Sequence, residues 1–140
     1  MDKIAREYKW EMSHRLPSHN GPCRNIHGHS YKMRVSLEGE LNKDSMVLDF
    51  YDMDNIFNPL VSLFDHAFLC DSEDIVMLNF LSSYNFKYLV IPETSTAENI
   101  AHFIVTEVLS ELQKFQNLKW LEIRLYETLD AFAEVRVKIQ

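Results

Sequence analysis

Along residues 4–14, Ile4, Tyr8, Trp10, Met12 and His14 fall on one parity of the chain. Ala5, Glu7, Lys9, Glu11 and Ser13 fall on the other, and Arg6 is the single charge on the apolar side. Successive side chains of a strand point to opposite faces, so this pattern describes a strand with one buried and one solvated face. The alternation returns over residues 27–39, where Tyr31, Met33, Val35 and Leu37 oppose Lys32, Arg34, Ser36 and Glu38. It returns twice near the C-terminus, first in Leu121, Ile123, Leu125 and Glu127, then in Ala133, Val135, Val137 and Ile139. Residues 128–131 between these two runs are short enough for a hairpin. Strands with one polar face belong to antiparallel sheets. The two ends of the chain are therefore expected to contribute strands to an antiparallel sheet.

The middle of the chain has a different period. Met53, Ile56, Phe57, Leu60, Val61, Leu63 and Phe64 have helical spacing over residues 52–64, with Pro59 either kinking the helix or starting a second piece. Residues 75–84 are consistent with a helix and residues 86–91 with a short strand. The clearest helix spans residues 96–115, where Ala97, Ile100, Ala101, Ile104, Val105, Val108, Leu109 and Leu112 form one stripe. Ser95 and Glu98 fit a capping box at its start. Residues 15–26, with Pro17, Gly21 and Pro22, are a loop. Two strands, a helical region and two strands give an α+β fold with an antiparallel sheet and helices on one face. With 140 residues, 46% of them hydrophobic, and no internal repeat, residues 1–140 are expected to form one domain.

Lys and Arg number 14 against 21 Asp and Glu, a net charge of −7, which argues against non-specific nucleic-acid binding. No apolar run approaches the ~20 residues of a membrane span. The first ten residues lack the apolar core of a signal peptide. Two cysteines are too few for a disulfide scaffold, so a cytoplasmic location is expected.

Chemistry first shows in His27-Gly28-His29. Residues i and i+2 of a strand project to one side, roughly 6.6 Å apart, a spacing that lets two imidazoles converge on one ion with bonds of ~2.1 Å. His14 has the same inward parity on the neighbouring strand and supplies a third ligand. Three neutral imidazoles with an open fourth position are the layout of a catalytic zinc site. The competing reading is a set of histidines satisfied by hydrogen bonds. Cys23, four residues before His27, is a fourth ligand, a catalytic thiol or an inert side chain. Cys70, after Phe68 and Leu69, reads as a small buried hydrophobe.

Asp65-His66 is either a helix end with a histidine near the dipole or a dyad in which a carboxylate orients an imidazole for proton transfer. Glu127 shares the inward parity of Leu125, and a buried carboxylate needs a partner. Two parallel N–H bonds from an amidine-like edge, as in a pterin or guanine, would satisfy it; the alternative is a strand-end glutamate that reaches solvent. Thr96 and Glu98 are the next candidates for ring recognition, although Glu98 is also explained as part of the capping box. His102 lies off the apolar stripe and is expected in solvent. His19 could serve either role.

Ser13-His14-Arg15-Leu16-Pro17 and Cys23-Arg24-Asn25-Ile26-His27-Gly28-His29 resemble the S-H-R-L and C-x-x-x-H-G-H signatures of the 6-pyruvoyltetrahydropterin synthase superfamily. Val47-Leu48-Asp49-Phe50, Phe64-Asp65-His66, Thr96-Ala97-Glu98-Asn99 and Tyr126-Glu127-Thr128 follow in that superfamily's order. The three residues between Cys23 and His27 are similar to the spacing of its bacterial and archaeal 6-carboxytetrahydropterin synthase branch, which acts in queuosine biosynthesis. Ser95 stands where the superfamily usually has Pro, and residues 71–93 are longer than in its compact bacterial members.

The resemblance implies a tunnelling fold, a four-stranded antiparallel sheet in the order ββααββ, with subunits joined edge to edge in trimers or hexamers that share active sites. It implies Zn2+ on His14, His27 and His29, and a pterin triphosphate substrate, 7,8-dihydroneopterin triphosphate. It implies proton transfer by Cys23, Asp65 and His66, and ring anchoring by Glu127 with a further part in the proton relay. The product would be 6-carboxytetrahydropterin. Rival readings are triphosphate elimination without carbon–carbon cleavage and a non-catalytic zinc or pterin-binding module. A cupin-like barrel would need many more turns than 3 glycines supply. Arg15, Arg24 and Lys32 are candidates for the triphosphate by position alone.

Overall fold

A computed structural model describes all 140 residues. The elements are β1 (Asp2–His14), β2 (His27–Gly39), α1 (Phe50–Phe64), β3 (Ala67–Asp71), α2 (Ile75–Ser83), β4 (Tyr88–Ile91), α3 (Ala97–Leu112), β5 (Leu118–Tyr126) and β6 (Phe132–Lys138). They build one six-stranded sheet in the order β4-β3-β1-β2-β5-β6. The four strands expected from alternation pair antiparallel, β1 with β2, β2 with β5 and β5 with β6. The sheet is nevertheless mixed rather than four-stranded, because β3 pairs parallel to β1 and β4 parallel to β3.

The β3–α2–β4 unit also corrects the expectation that all helices share one face. Leu69 of β3 joins the main core with α1 and α3, whereas Phe68 and Cys70 pack with Met77 and Leu81 of α2. Neighbouring strand residues point to opposite faces, so α2 lies on the other side of the sheet. Burial on both faces is usual for parallel strands. Burial also pushes the Cys70 thiol up to about 11, in keeping with an inert core residue.

Main-core packing follows the periodicities. Met53, Phe57, Leu60 and Phe64 of α1 and Ile100, Ile104, Val108 and Leu112 of α3 cover the inward residues of β1, β2 and β5. Each such side chain contributes about 1.5–3 kcal/mol when fully buried. Asp49 caps α1 by accepting from Tyr51 N at 2.8 Å, and the helix runs unbroken through Pro59. At the far end of β2, a Cβ on Gly39 would lie 2.3 Å from Asn117 O, so only glycine allows the bulge there.

One ion pair ties α2 to the end of β1. Arg15 donates from Nε and Nη2 to the two oxygens of Asp74, at 2.7 and 2.6 Å. Asp74 is buried and also caps α2 through Met77 N. The bonds from Arg15 hold its carboxyl below the usual carboxylate range. Asp74→Ala is expected to lower stability by about 2–4 kcal/mol in urea unfolding at neutral pH, combining a lost cap with a broken, largely buried pair. A depressed carboxylate stabilises the fold above its unfolded pKa of ~3.9 and ceases to do so as pH falls through its folded value. The gap between wild type and variant should therefore be flat above about pH 5 and should narrow in acid.

Candidate metal centre

The β1–β2 register places His14 directly opposite His27, and Met12 opposite His29. The three rings converge at the inward-facing end of the two strands, with centroids 4.6, 5.2 and 5.0 Å apart. Gly28 makes the close approach possible, since a Cβ there would stand 3.1 Å from Met12 O.

Backbone carbonyls fix two of the imidazoles. His14 Nδ1 lies 2.8 Å from Ser95 O, and His27 Nδ1 lies 2.7 Å from Asn25 O. A carbonyl only accepts, so each Nδ1 carries the proton and each Nε2 keeps a lone pair. His14 is 1% exposed, and the Nε2 atoms of both His14 and His29 are buried without a hydrogen bond. Glu127 Oε1 stands 3.2 Å from His14 Nε2 and 3.0 Å from His29 Nε2. Burial pushes the imidazole of His29 below its usual range.

A buried lone pair on His14 facing an anionic oxygen calls for a cation between them. One donor atom each from His14, His27, His29 and Glu127 lies within 4.8 Å of all the others. The Glu127 distances match the ~3.3 Å edge of a tetrahedron with bonds of ~2.0–2.1 Å. Three imidazoles and a carboxylate thus fit a divalent metal. Glu127, expected as a ring anchor apart from the histidine wall, belongs to this donor group.

The other candidates fall around it. Cys23 sits half-buried in a 3-10 turn (Pro22–Arg24) and is not among the grouped donors. Leu16 N donates to its carbonyl at 2.8 Å, closing the loop between His14 and His27. Asp65 caps the C-terminus of α1 and accepts from Glu11 N at 3.0 Å and from His66 Nδ1 at 3.0 Å. The Glu11 bond, then the His66 bond, hold the Asp65 carboxyl low. His66 takes the left-handed backbone, φ 59°, with its side chain 75% exposed. It shares a cleft of about 350 Å³ with His29, Gly28 and Ser30. Asp65 and His66 therefore pair with one another, in a cleft that Glu11, Ser13, Gly28 and Ser30, of the parity opposite to the histidine side chains, also line.

The start of α3 differs from the sequence reading by one residue. Thr96, not Ser95, is the N-cap and accepts from Asn99 N at 3.3 Å. Glu98 is exposed and lines a cavity of about 150 Å³ together with Glu127. Among the cations, Arg15 is committed to Asp74, and Lys32 lies over the Tyr126 ring, 4.4 Å from its centroid, on the opposite parity to the histidines. Arg24 is exposed beside Cys23. His102 is exposed, as expected, and His19 accepts from Gly21 N within its own loop.

Ser95 is the functional residue that motif reading missed. It is fully buried, its Oγ lies 3.1 Å from His14 Nδ1, and the same Oγ donates to Arg15 O at 3.4 Å. Its carbonyl and hydroxyl both hold the ligand from behind. Only its departure from the Pro usual at that position could have drawn attention to it. Outer hydrogen bonds of this kind are worth 10- to 100-fold in metal affinity. Ser95→Ala keeps the carbonyl bond, so a loss of about tenfold is expected in chelator competition, at the low end of that range.

Known proteins can be compared with this geometry. The chain is 36% identical to the 6-carboxy-5,6,7,8-tetrahydropterin synthase of Haemophilus influenzae, over 96% of this chain and 98% of that protein. The enzyme of that name from Rickettsia typhi is 29% identical over 96% of this chain and 100% of its own length. In fold, the chain is similar to the crystal structure of 6-pyruvoyl tetrahydropterin synthase from Plasmodium vivax, with a TM-score of 0.79, 18% identity and 98% of each chain covered. The family described as 6-pyruvoyl tetrahydropterin synthase matches residues 3–138. With its histidine cluster, dyad and sheet in place, the chain belongs to the 6-pyruvoyl tetrahydropterin synthase family.

Proposed function

We propose that the chain is a zinc enzyme that converts 7,8-dihydroneopterin triphosphate and water to 6-carboxy-5,6,7,8-tetrahydropterin, acetaldehyde and triphosphate, a step of queuosine biosynthesis. The observation that carries the reading is the convergence of three imidazoles and a carboxylate on one point. The names of the relatives support the choice of product.

In this reading His14, His27 and His29 hold the zinc. When bound, it acts as a Lewis acid toward the hydroxyls of the substrate side chain. Cys23, near the histidines but outside the donor group, takes a side-chain proton as thiolate. His66, held by Asp65, is the second proton carrier, given to a site shared between subunits. Glu127 accepts the ring's 2-amino and N–H bonds and sits within reach of the proton relay. Glu98, on the wall it shares with Glu127, adds a second acceptor, and Thr96 fixes the helix start that carries Glu98. Arg24 is the uncommitted cation for the triphosphate. Subunits assembled as trimers or hexamers would let neighbouring chains share these sites.

Mass spectrometry of the product tests the proposal. Zinc-loaded protein given 7,8-dihydroneopterin triphosphate should release acetaldehyde and 6-carboxytetrahydropterin in equal amounts. Release of 6-pyruvoyltetrahydropterin without acetaldehyde would move the chain to the elimination reaction, and no turnover would leave a binding module.

A further inference from the structure

One carboxylate stands in two places at once. Glu127 Oε1 is part of the metal donor group, 3.2 and 3.0 Å from the Nε2 atoms of His14 and His29. The same side chain walls the cavity of about 150 Å³ that it shares with Glu98 and Phe132. Bidentate recognition of an amidine-like edge needs both carboxylate oxygens. A metal on Oε1 would draw charge from the carboxylate and weaken it as an acceptor for the ring.

We infer that Glu127 is an exchangeable fourth metal ligand, which leaves the metal when a pterin ring takes its carboxylate. This rests on the proposed pterin chemistry. The local structure suits a moving side chain on a fixed backbone. Glu127 is the first residue beyond β5, and its N–H donates to Ala131 O at 3.2 Å across the hairpin. Its side chain is 30% exposed, so rotation about its own χ angles carries it between cluster and cavity. His14 and His27 do not move with it, because backbone carbonyls pin both rings. His14, His27, His29 and Glu127 would together hold the metal until the ring arrives, and ring recognition by Glu127 would free the position that the side-chain hydroxyls need.

Ring and metal therefore compete for one group, and coupling between two binding sites is reciprocal. The probe is 7,8-dihydropterin, which has the ring but no side chain to replace the carboxylate on the metal. Its affinity is measured for zinc-loaded and metal-free wild type. Loaded protein should bind it about 5- to 50-fold more weakly, within the usual range of such coupling. Glu127→Gln should bind it weakly and equally in both forms, and should hold zinc at least tenfold less tightly than wild type in chelator competition. Cobalt-loaded wild type should also change its visible spectrum on adding the pterin, while the variant should start from an altered spectrum and stay there. Equal or tighter pterin binding by loaded wild type, or unchanged zinc affinity in the variant, overturns the exchange. No pterin binding by either form of the wild type overturns the functional reading beneath it.

Discussion

His29→Ala should remove nearly all bound metal and abolish turnover. His29 Nε2 is buried, without a hydrogen bond, and 3.0 Å from Glu127. Losing it leaves two imidazoles and a carboxylate that no longer close a tetrahedron. His27→Ala should behave alike, although its ring is tied to Asn25 O and its loss also loosens the loop. Metal content by atomic emission and turnover by product assay read the two effects separately. His29 meets the main core only through an edge contact with Tyr31, ring centroids 5.5 Å apart, so circular dichroism and the melting temperature of the metal-free forms should stay close to wild type. Full metal occupancy in both variants would remove the histidines from the centre.

Cys23→Ala should separate metal from chemistry in the opposite direction. Cys23 lies on the turn between His14 and His27 but outside the grouped donors. Zinc should be retained at one per chain, while turnover should fall by about 10²–10⁴, the usual contribution of a positioned proton carrier. Cys23→Ser, which keeps the shape but not the acidity, should recover little. Zinc loss in the alanine variant would place the thiol in the coordination shell instead.

Much of the centre was legible because strand parity is a strict rule. His14, His27, His29 and Glu127 all carry the parity of buried neighbours, and all four point to one place. Parity gives a face, however, and not a neighbour. That Glu127 meets His29 depends on the β2–β5 register, in which Lys32 lies opposite Tyr126, and no local pattern encodes it. The strand β3 went unread for a related reason, and with it the pairing that brings the expected strand near residues 86–91 into the sheet as β4. Phe68, Leu69 and Cys70 are buried on alternating faces by different helices, so their run shows no alternation to read. Ser95 and Thr96 are both good caps; the choice between them was made by His14, 81 positions away along the chain.

The donors of the centre come from residues 14, 27, 29 and 127, and His14 is braced from residue 95. Joining them requires β1, β2 and β5 to be in final register, with long loops already closed. The metal therefore cannot nucleate this fold in the way zinc organises a finger, whose ligands lie close together in sequence. The sheet must assemble before all four donors meet, so an ion is expected to bind the finished sheet. A chelator should strip activity while leaving the scaffold folded, and a newly made chain should wait, complete but inert, for its ion.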